Sequence, residues 1–199
     1  YLHDIHTSTQ RLSTLIDVLL NVSRIEEGRV TISPKPLELI GFVSNYLTEC
    51  APLCVKKNLS MTFEKRLEPI HVIVDVSALR NIIQSIISNA IEYTPEGGKV
   101  EVSLKKTRDH FIFKVKDTGI GIPKEEQGRI FEKFTRASNA QLIKTDGTGL
   151  GLYIAKQAVD LLEGKIWFES EVNKGTTFFV ELPIESKAVG SEKDGKALA

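Results

Sequence analysis

The sequence is poor in cysteine, has no net charge and contains no long apolar run, and each lack removes a class of protein. Only Cys50 and Cys54 occur among 199 residues. Four apart, they share one face of any helix through LIGFVSNYLTECAPLCVKKN. With no second Cys pair and no nearby His, zinc binding is not expected; buried free thiols of a reducing compartment are. Lys+Arg and Asp+Glu number 26 each, so no global field favours nucleic acid or an anionic membrane, and any phosphate site must be local. No stretch approaches the roughly 18 apolar residues of a membrane span, so no membrane contact by this chain is expected and a cytoplasmic location is. The start at Tyr1, without Met or a signal-like segment, reads as that of an excised fragment whose parent could still be membrane-anchored.

What the chain does have is patterned. Leu2, Ile5, Thr9, Leu12, Ile16, Leu19 and Ser23 alternate spacings of three and four, with Leu15, Val18, Val22 and Ile25 as a second apolar stripe. Such a helix is expected to pack against more than one partner helix, which points to dimerisation, a missing helix, or both, the alternative being that it packs onto its own globular domain. Gly28 is a stop, and RVTISPKP reads as a strand and linker into a new domain. A helix is expected from Leu37 to about Lys57, then a strand in NLSMTFEKR. Leu79, Ile82, Ile83, Ile86, Ile87, Ala90 and Ile91 mark another helix, with Asp75 placed to cap it and Pro95, Gly97 and Gly98 closing it. KVEVSLKK and HFIFKVKD alternate and are joined by a short polar turn, as antiparallel strands are. A glycine turn, DTGIGIP, precedes a polar stretch to Asp146; a helix follows Gly147, and strands lie near KIWFES and TTFFVELP. The expectation is an α/β sandwich: a mixed, mostly antiparallel sheet covered by helices on one face, preceded by one long bundle-forming helix. Residues 1–28, 29–184 and 185–199 divide into partial helix bundle, globular domain and disordered tail.

DGTGLGLYIAKQ sets Gly147, Gly149 and Gly151 at alternate positions before a helix-forming run. Such a turn allows positive φ and close approach of a ligand, and a helix N-terminus beside it suits phosphate. There is no G-x-x-x-x-G-K-[ST], and these glycines lack G-x-G-x-x-G spacing, so neither a Walker loop nor a Rossmann turn is present by pattern. Taken alone, the stretch fits a helix-capping connection equally well. The decision comes from the rest of the chain.

NAIEYTP, DTGIGIP, IFEKFTR and GTGLGL resemble, in order, the N box, first glycine box, phenylalanine box and second glycine box of sensor histidine kinases, within the wider GHKL ATPases; KGTTFFVELP is like their closing strand. The resemblance spans about residues 1 to 184 and implies a Bergerat-type ATP-binding domain preceded by the second helix of the dimerisation bundle. It implies ATP and Mg²⁺ as cofactors, with Asn89 coordinating the metal, a role that its neutral amide oxygen suits. Asp117 would read adenine, and Tyr93 would border the purine or simply serve the core. Gly119, Gly121, Ile122, Thr148, Leu150, Leu152 and Thr177 complete the implied nucleotide site with Gly147, Gly149 and Gly151, which would wrap the triphosphate. Phe131 and Phe134 would anchor a lid over the nucleotide, and Lys133 and Arg136 would neutralise phosphate, although solvated charge is the commoner fate of either.

Two positions depart from the family pattern. Ser85 stands where kinases commonly place a second Asn and ATP-hydrolysing relatives a general base Glu, which favours phosphoryl transfer over hydrolysis. Glu92 stands where kinases often have Lys, so either it points away or Lys133, Arg136 or Lys144 compensates. The implied function is transfer of the γ-phosphoryl to a histidine of the dimer and relay to a response regulator. The alternative is a degenerate or switch-type GHKL module that regulates a partner without transfer. His3 and His6 lack the Arg-Thr-Pro surroundings of the acceptor and read as ordinary helix residues, with the acceptor helix expected before Tyr1 in a parent protein. The chain is therefore expected to bind ATP without phosphorylating itself and to form a homodimer through its N-terminal helix.

Overall fold

Segments with strong periodicity form the elements that position the rest. The computed structural model describes residues 31–64, 68–144 and 147–186. The expected bundle helix in 1–28 and the tail from 187 onward lie outside the described residues. Strand β1 (Lys35–Glu38) leads into helix α1 (Leu39–Lys56), followed by β2 (Ser60–Glu64), β3 (His71–Val74) and α2 (Val76–Tyr93). Then come β4 (Lys99–Lys106), β5 (His110–Asp117), a 3₁₀ turn (Lys124–Arg129), the short α3 (Ser138–Ile143), α4 (Gly151–Leu161), β6 (Lys165–Glu171) and β7 (Gly175–Pro183).

Helix α2 realises its sequence pattern: Leu79, Ile82, Ile83, Ile86, Ile87 and Ile91 form one buried face. Asp75 caps it, accepting from the Ala78 N–H at 2.9 Å, and its other oxygen accepts from the Ser33 N–H. Glu38 caps α1 through the N–H groups of Ile40 and Gly41. Cys50 and Cys54 are free and buried on that helix, as their spacing predicts.

The main sheet runs β2-β4-β5-β7-β6. β2 is parallel to β4, and the other pairs are antiparallel, including the expected β4–β5 hairpin. Val100, Val102, Leu104, Phe111, Phe113, Val115, Val180 and Leu182 turn inward to the core shared with α1, α2 and α4. Their alternates, such as Lys114 and Phe179, face away, and Phe179 stacks on Trp167 at 5.2 Å. This is the expected mixed, mostly antiparallel sheet with helices on one face.

Three local features differ from the sequence reading. Among the described residues the first strand is Lys35–Glu38, with 31–34 outside it, and it pairs antiparallel with β3, a strand the periodicity did not reveal. Pro36 is tolerated there because a two-stranded ribbon leaves one edge unpaired. The polar stretch before Asp146 contains a 3₁₀ turn and α3, both too short for a helical period to register. Finally, Glu185 bridges to Ile73 and the Ser186 N–H donates to the Ile73 carbonyl, so paired chain extends past residue 184.

Candidate functional site

At the end of β5, Asp117 is buried where two glycine-bearing segments meet. Its Oδ1 accepts from the Gly119 N–H at 2.8 Å and from the Thr176 N–H of β7 at 3.1 Å. Burial raises its pKa above the ordinary carboxylate value, while these two donors pull the other way. Both donors fall on one oxygen, which leaves Oδ2 for a ligand.

The first glycine turn is tied on three sides. The Ile120 N–H donates to the Tyr93 carbonyl at the end of α2, and the Ile122 N–H donates to Ser170 Oγ on β6. Gly121 has φ +66°, and a Cβ there would stand 2.0 Å from the Glu171 carbonyl oxygen. Asn139 of α3 donates Nδ2 to the Gly121 carbonyl at 2.9 Å, joining that short helix to the turn.

The second glycine turn is shaped just as tightly by the chain itself. Gly149, at φ +68°, lies against the Phe134 backbone, and Gly147 against the Arg136 guanidinium. These glycines therefore answer close approach within the protein, as well as any need for a ligand to come near. Leu150, almost fully buried, anchors the turn, and α4 begins at Gly151 with no capping side chain on its first N–H groups.

Between α2, the strand ends and these turns lies a cavity of about 260 Å³. Among the residues singled out from sequence, Asn89, Tyr93, Asp117, Gly121, Ile122 and Arg136 line it from one stretch of chain or another. Gly147, Thr148, Gly149, Gly151 and Leu152 of the second glycine turn and α4 line it as well. The Asn89 amide makes no hydrogen bond to any described residue, so its oxygen is available to a cation.

Other singled-out residues lie outside the lining. Gly119 acts through Asp117, and Leu150 through its burial. Phe131 packs edge-to-face on Phe168 at 5.9 Å, whereas Phe134 is exposed, with φ +61°. Lys133 Nζ stands over the Tyr153 ring at 5.3 Å. Thr177 points to the opposite face of β7, and its neighbour Thr176 lines the cavity with Phe178. The alternation of Phe178, Val180 and Leu182 carries that signal, because Thr176 shares their face. Glu92 also lines the cavity, and its Oε1 pairs with Lys144 Nζ at 2.5 Å.

Residues 74–186 match the family described as histidine kinase-, DNA gyrase B-, and HSP90-like ATPase. The chain is 36% identical to the circadian input-output histidine kinase CikA of Synechococcus elongatus, over 92% of this chain and 24% of that protein. It is 34% identical to the sensor histidine kinase RppB of Synechocystis sp., over 93% of this chain and 41% of that protein. It thus spans 24% and 41% of these two relatives' lengths. The full-length ShkA structure in complex with AMPPNP superposes with a TM-score of 0.79 at 25% identity, over 95% of this chain and 39% of that one. The catalytic domain of the histidine kinase ThkA superposes at 0.68 with 28% identity, over 77% and 97% of the two chains.

Proposed function

Since the chain belongs to the histidine kinase-, DNA gyrase B- and HSP90-like ATPases, as a catalytic domain of the sensor histidine kinase type, we propose that it binds Mg–ATP in the cavity beside Asp117 and serves phosphoryl transfer to a histidine. The observation that carries this reading is the Asp117 carboxylate, with Oδ1 held by two backbone N–H groups and Oδ2 left to the cavity. Such a group accepts from the exocyclic amine of adenine. Tyr93 and Ile122 offer apolar surface beside it.

The first turn of α4 presents N–H groups and the positive end of its dipole to phosphate. Arg136 and Lys144 add cationic side chains to the wall. Among the described residues no cluster of three His, Cys, Asp or Glu could hold a metal. Asn89 nevertheless fits Mg²⁺, an ion that keeps several waters, bridges phosphates and needs few protein ligands. When bound, Mg–ATP supplies the γ-phosphoryl group and the metal offsets its charge.

Ser85, one helical turn before Asn89, brings no carboxylate, so this position cannot act as the base that activates water. Phosphoryl transfer to an outside nucleophile is therefore favoured over hydrolysis. We assign residues 1–28 to a dimerising bundle and 29–184 to the ATP-binding domain. The acceptor histidine lies on another helix, and a response regulator receives the phosphoryl group. No described helix is long and apolar enough to cross a membrane.

Glu92 in the cavity wall favours a second reading, a nucleotide-dependent switch acting on a partner without transfer. Calorimetric titration with AMPPNP, with and without Mg²⁺, tests the shared premise. Metal-dependent binding lost in Asp117→Asn is expected, and no binding at millimolar nucleotide would overturn it. Phosphate transfer to a longer chain containing the acceptor helix separates the two readings. Steady-state ADP release approaching about one per second would instead mark a hydrolase.

A further inference from the structure

Four charged side chains line the cavity among the described residues: Glu92, Asp117, Arg136 and Lys144. Asp117 sits in the floor, held by backbone. Arg136 donates Nη2 to the carbonyls of Ala140 and Lys144, so its guanidinium holds the C-terminal end of α3. Lys144 makes a different kind of contact. Its ammonium pairs with the Glu92 carboxylate, an anion that a phosphate oxygen can replace without leaving a backbone carbonyl unpaired.

The location of Glu92 gives that exchange a direction. Glu92 lies three residues beyond Asn89 and so on the same side of α2. Lys57 clamps this last turn by donating to the Ile91 and Glu92 carbonyls at 2.9 and 2.5 Å, which steadies the backbone that carries the carboxylate. The side chains of Lys144 and Glu92 are 40% and 28% exposed, so solvent screens the pair and separating it is not prohibitive.

We infer that Glu92 holds Lys144 at the cavity wall as an exchangeable cation, so that nucleotides are selected by how strongly their phosphate chain outcompetes the Glu92 carboxylate. Glu92 is here a positioning residue and an internal competitor, and Lys144 is the phosphate-contacting group. The inference rests on the nucleotide-binding reading proposed above. Longer, more highly charged phosphate chains take Lys144 from Glu92, whereas a nucleoside monophosphate leaves the pair largely intact.

The test is calorimetric titration of the full chain with AMP and with AMPPNP, both with Mg²⁺, for wild type, Glu92→Gln and Lys144→Gln. Unfolding midpoints without nucleotide report whether each variant is folded. The expected result is a rise of roughly threefold in AMPPNP affinity for Glu92→Gln, a fall of similar size for Lys144→Gln, and little change for AMP in either. An AMPPNP-to-AMP affinity ratio unmoved by either substitution, or equal shifts for both ligands, would overturn the inference. If that ratio is unmoved while Asp117→Asn still abolishes binding, the nucleotide reading stands and only the role of the pair falls. If wild type binds neither ligand, both fall.

Discussion

The backbone N–H of Thr176 donates to Oδ1 of Asp117 at 3.1 Å, across 59 residues of chain. This bond joins the start of β7 to the end of β5 and holds the carboxylate so that one oxygen remains for the cavity. Removing the charge while keeping the shape should therefore separate binding from folding. In Asp117→Asn, nucleotide affinity is expected to fall at least about tenfold with little loss of stability, because an amide can still accept from Gly119 and Thr176. Titration calorimetry and urea unfolding of the same variant check the two halves.

Asp117 also sets a pH dependence. Burial raises its native pKa, so the native state holds this proton to higher pH than the unfolded chain does. Its contribution to stability is then lost as pH rises from the ordinary carboxylate value through the raised native one. AMPPNP affinity should climb over the same interval, since the ionised form is the better acceptor. Asp117→Asn should remove this component from urea midpoints measured as a function of pH.

Glu38 acts in the opposite sense. Burial raises its pKa, but the N–H groups of Gly41, Ile40 and Ile70 outweigh that and hold it below the ordinary value. Its capping contribution is complete above the unfolded-state pKa and is lost as pH falls through the native one. Glu38→Gln should flatten the acid limb of the stability curve, seen as a smaller drop in urea midpoint on acidification.

Gly121 and Gly128 make a matched pair of backbone tests. Alanine at 121 would need φ +66° and would place a Cβ 2.0 Å from the Glu171 carbonyl, whereas at 128 it would meet nothing within 4 Å. Gly121→Ala should cost roughly 2 kcal/mol or more, and Gly128→Ala less than about 0.5 kcal/mol. Thermal unfolding resolves the difference.

The two thiols offer a chemical check on α1. Burial raises the pKa of both Cys50 and Cys54. Neither should react with a thiol-specific reagent on the timescale of mixing in the native protein, and both should react in denaturant. Rapid native modification would contradict the packing of that helix on the sheet.

Much of this was legible in the sequence, for local physical reasons. The isoleucine spacing of Val76–Tyr93, its Asp75 cap and the alternation of KVEVSLKK and HFIFKVKD each encode an element within a single window. The ordered boxes around Asn89, Asp117 and Gly147–Gly151 contain most of the singled-out residues that end up facing one cavity, with Gly119 and Leu150 supporting them from outside its lining. The choice of Thr176 over Thr177 was nearly legible too, since it needed only the register of β7 against its apolar face.

Tertiary structure decided what depends on distant segments meeting. β2 lies parallel beside β4, and the short β1 and β3 pair apart from the main sheet, because strand order follows from packing rather than from any one strand's pattern. Gly121 must be glycine because the Glu171 backbone crosses it, and Gly149 because the Phe134 backbone does. The sequence placed an acid at Glu92 and left open whether it points away or is compensated by one of three cations; only the fold brought Lys144 to it. Periodicity and turn chemistry act over a few residues and can be read along the chain. Steric closeness and ion pairing between remote residues exist only once the hydrophobic core has brought their elements together.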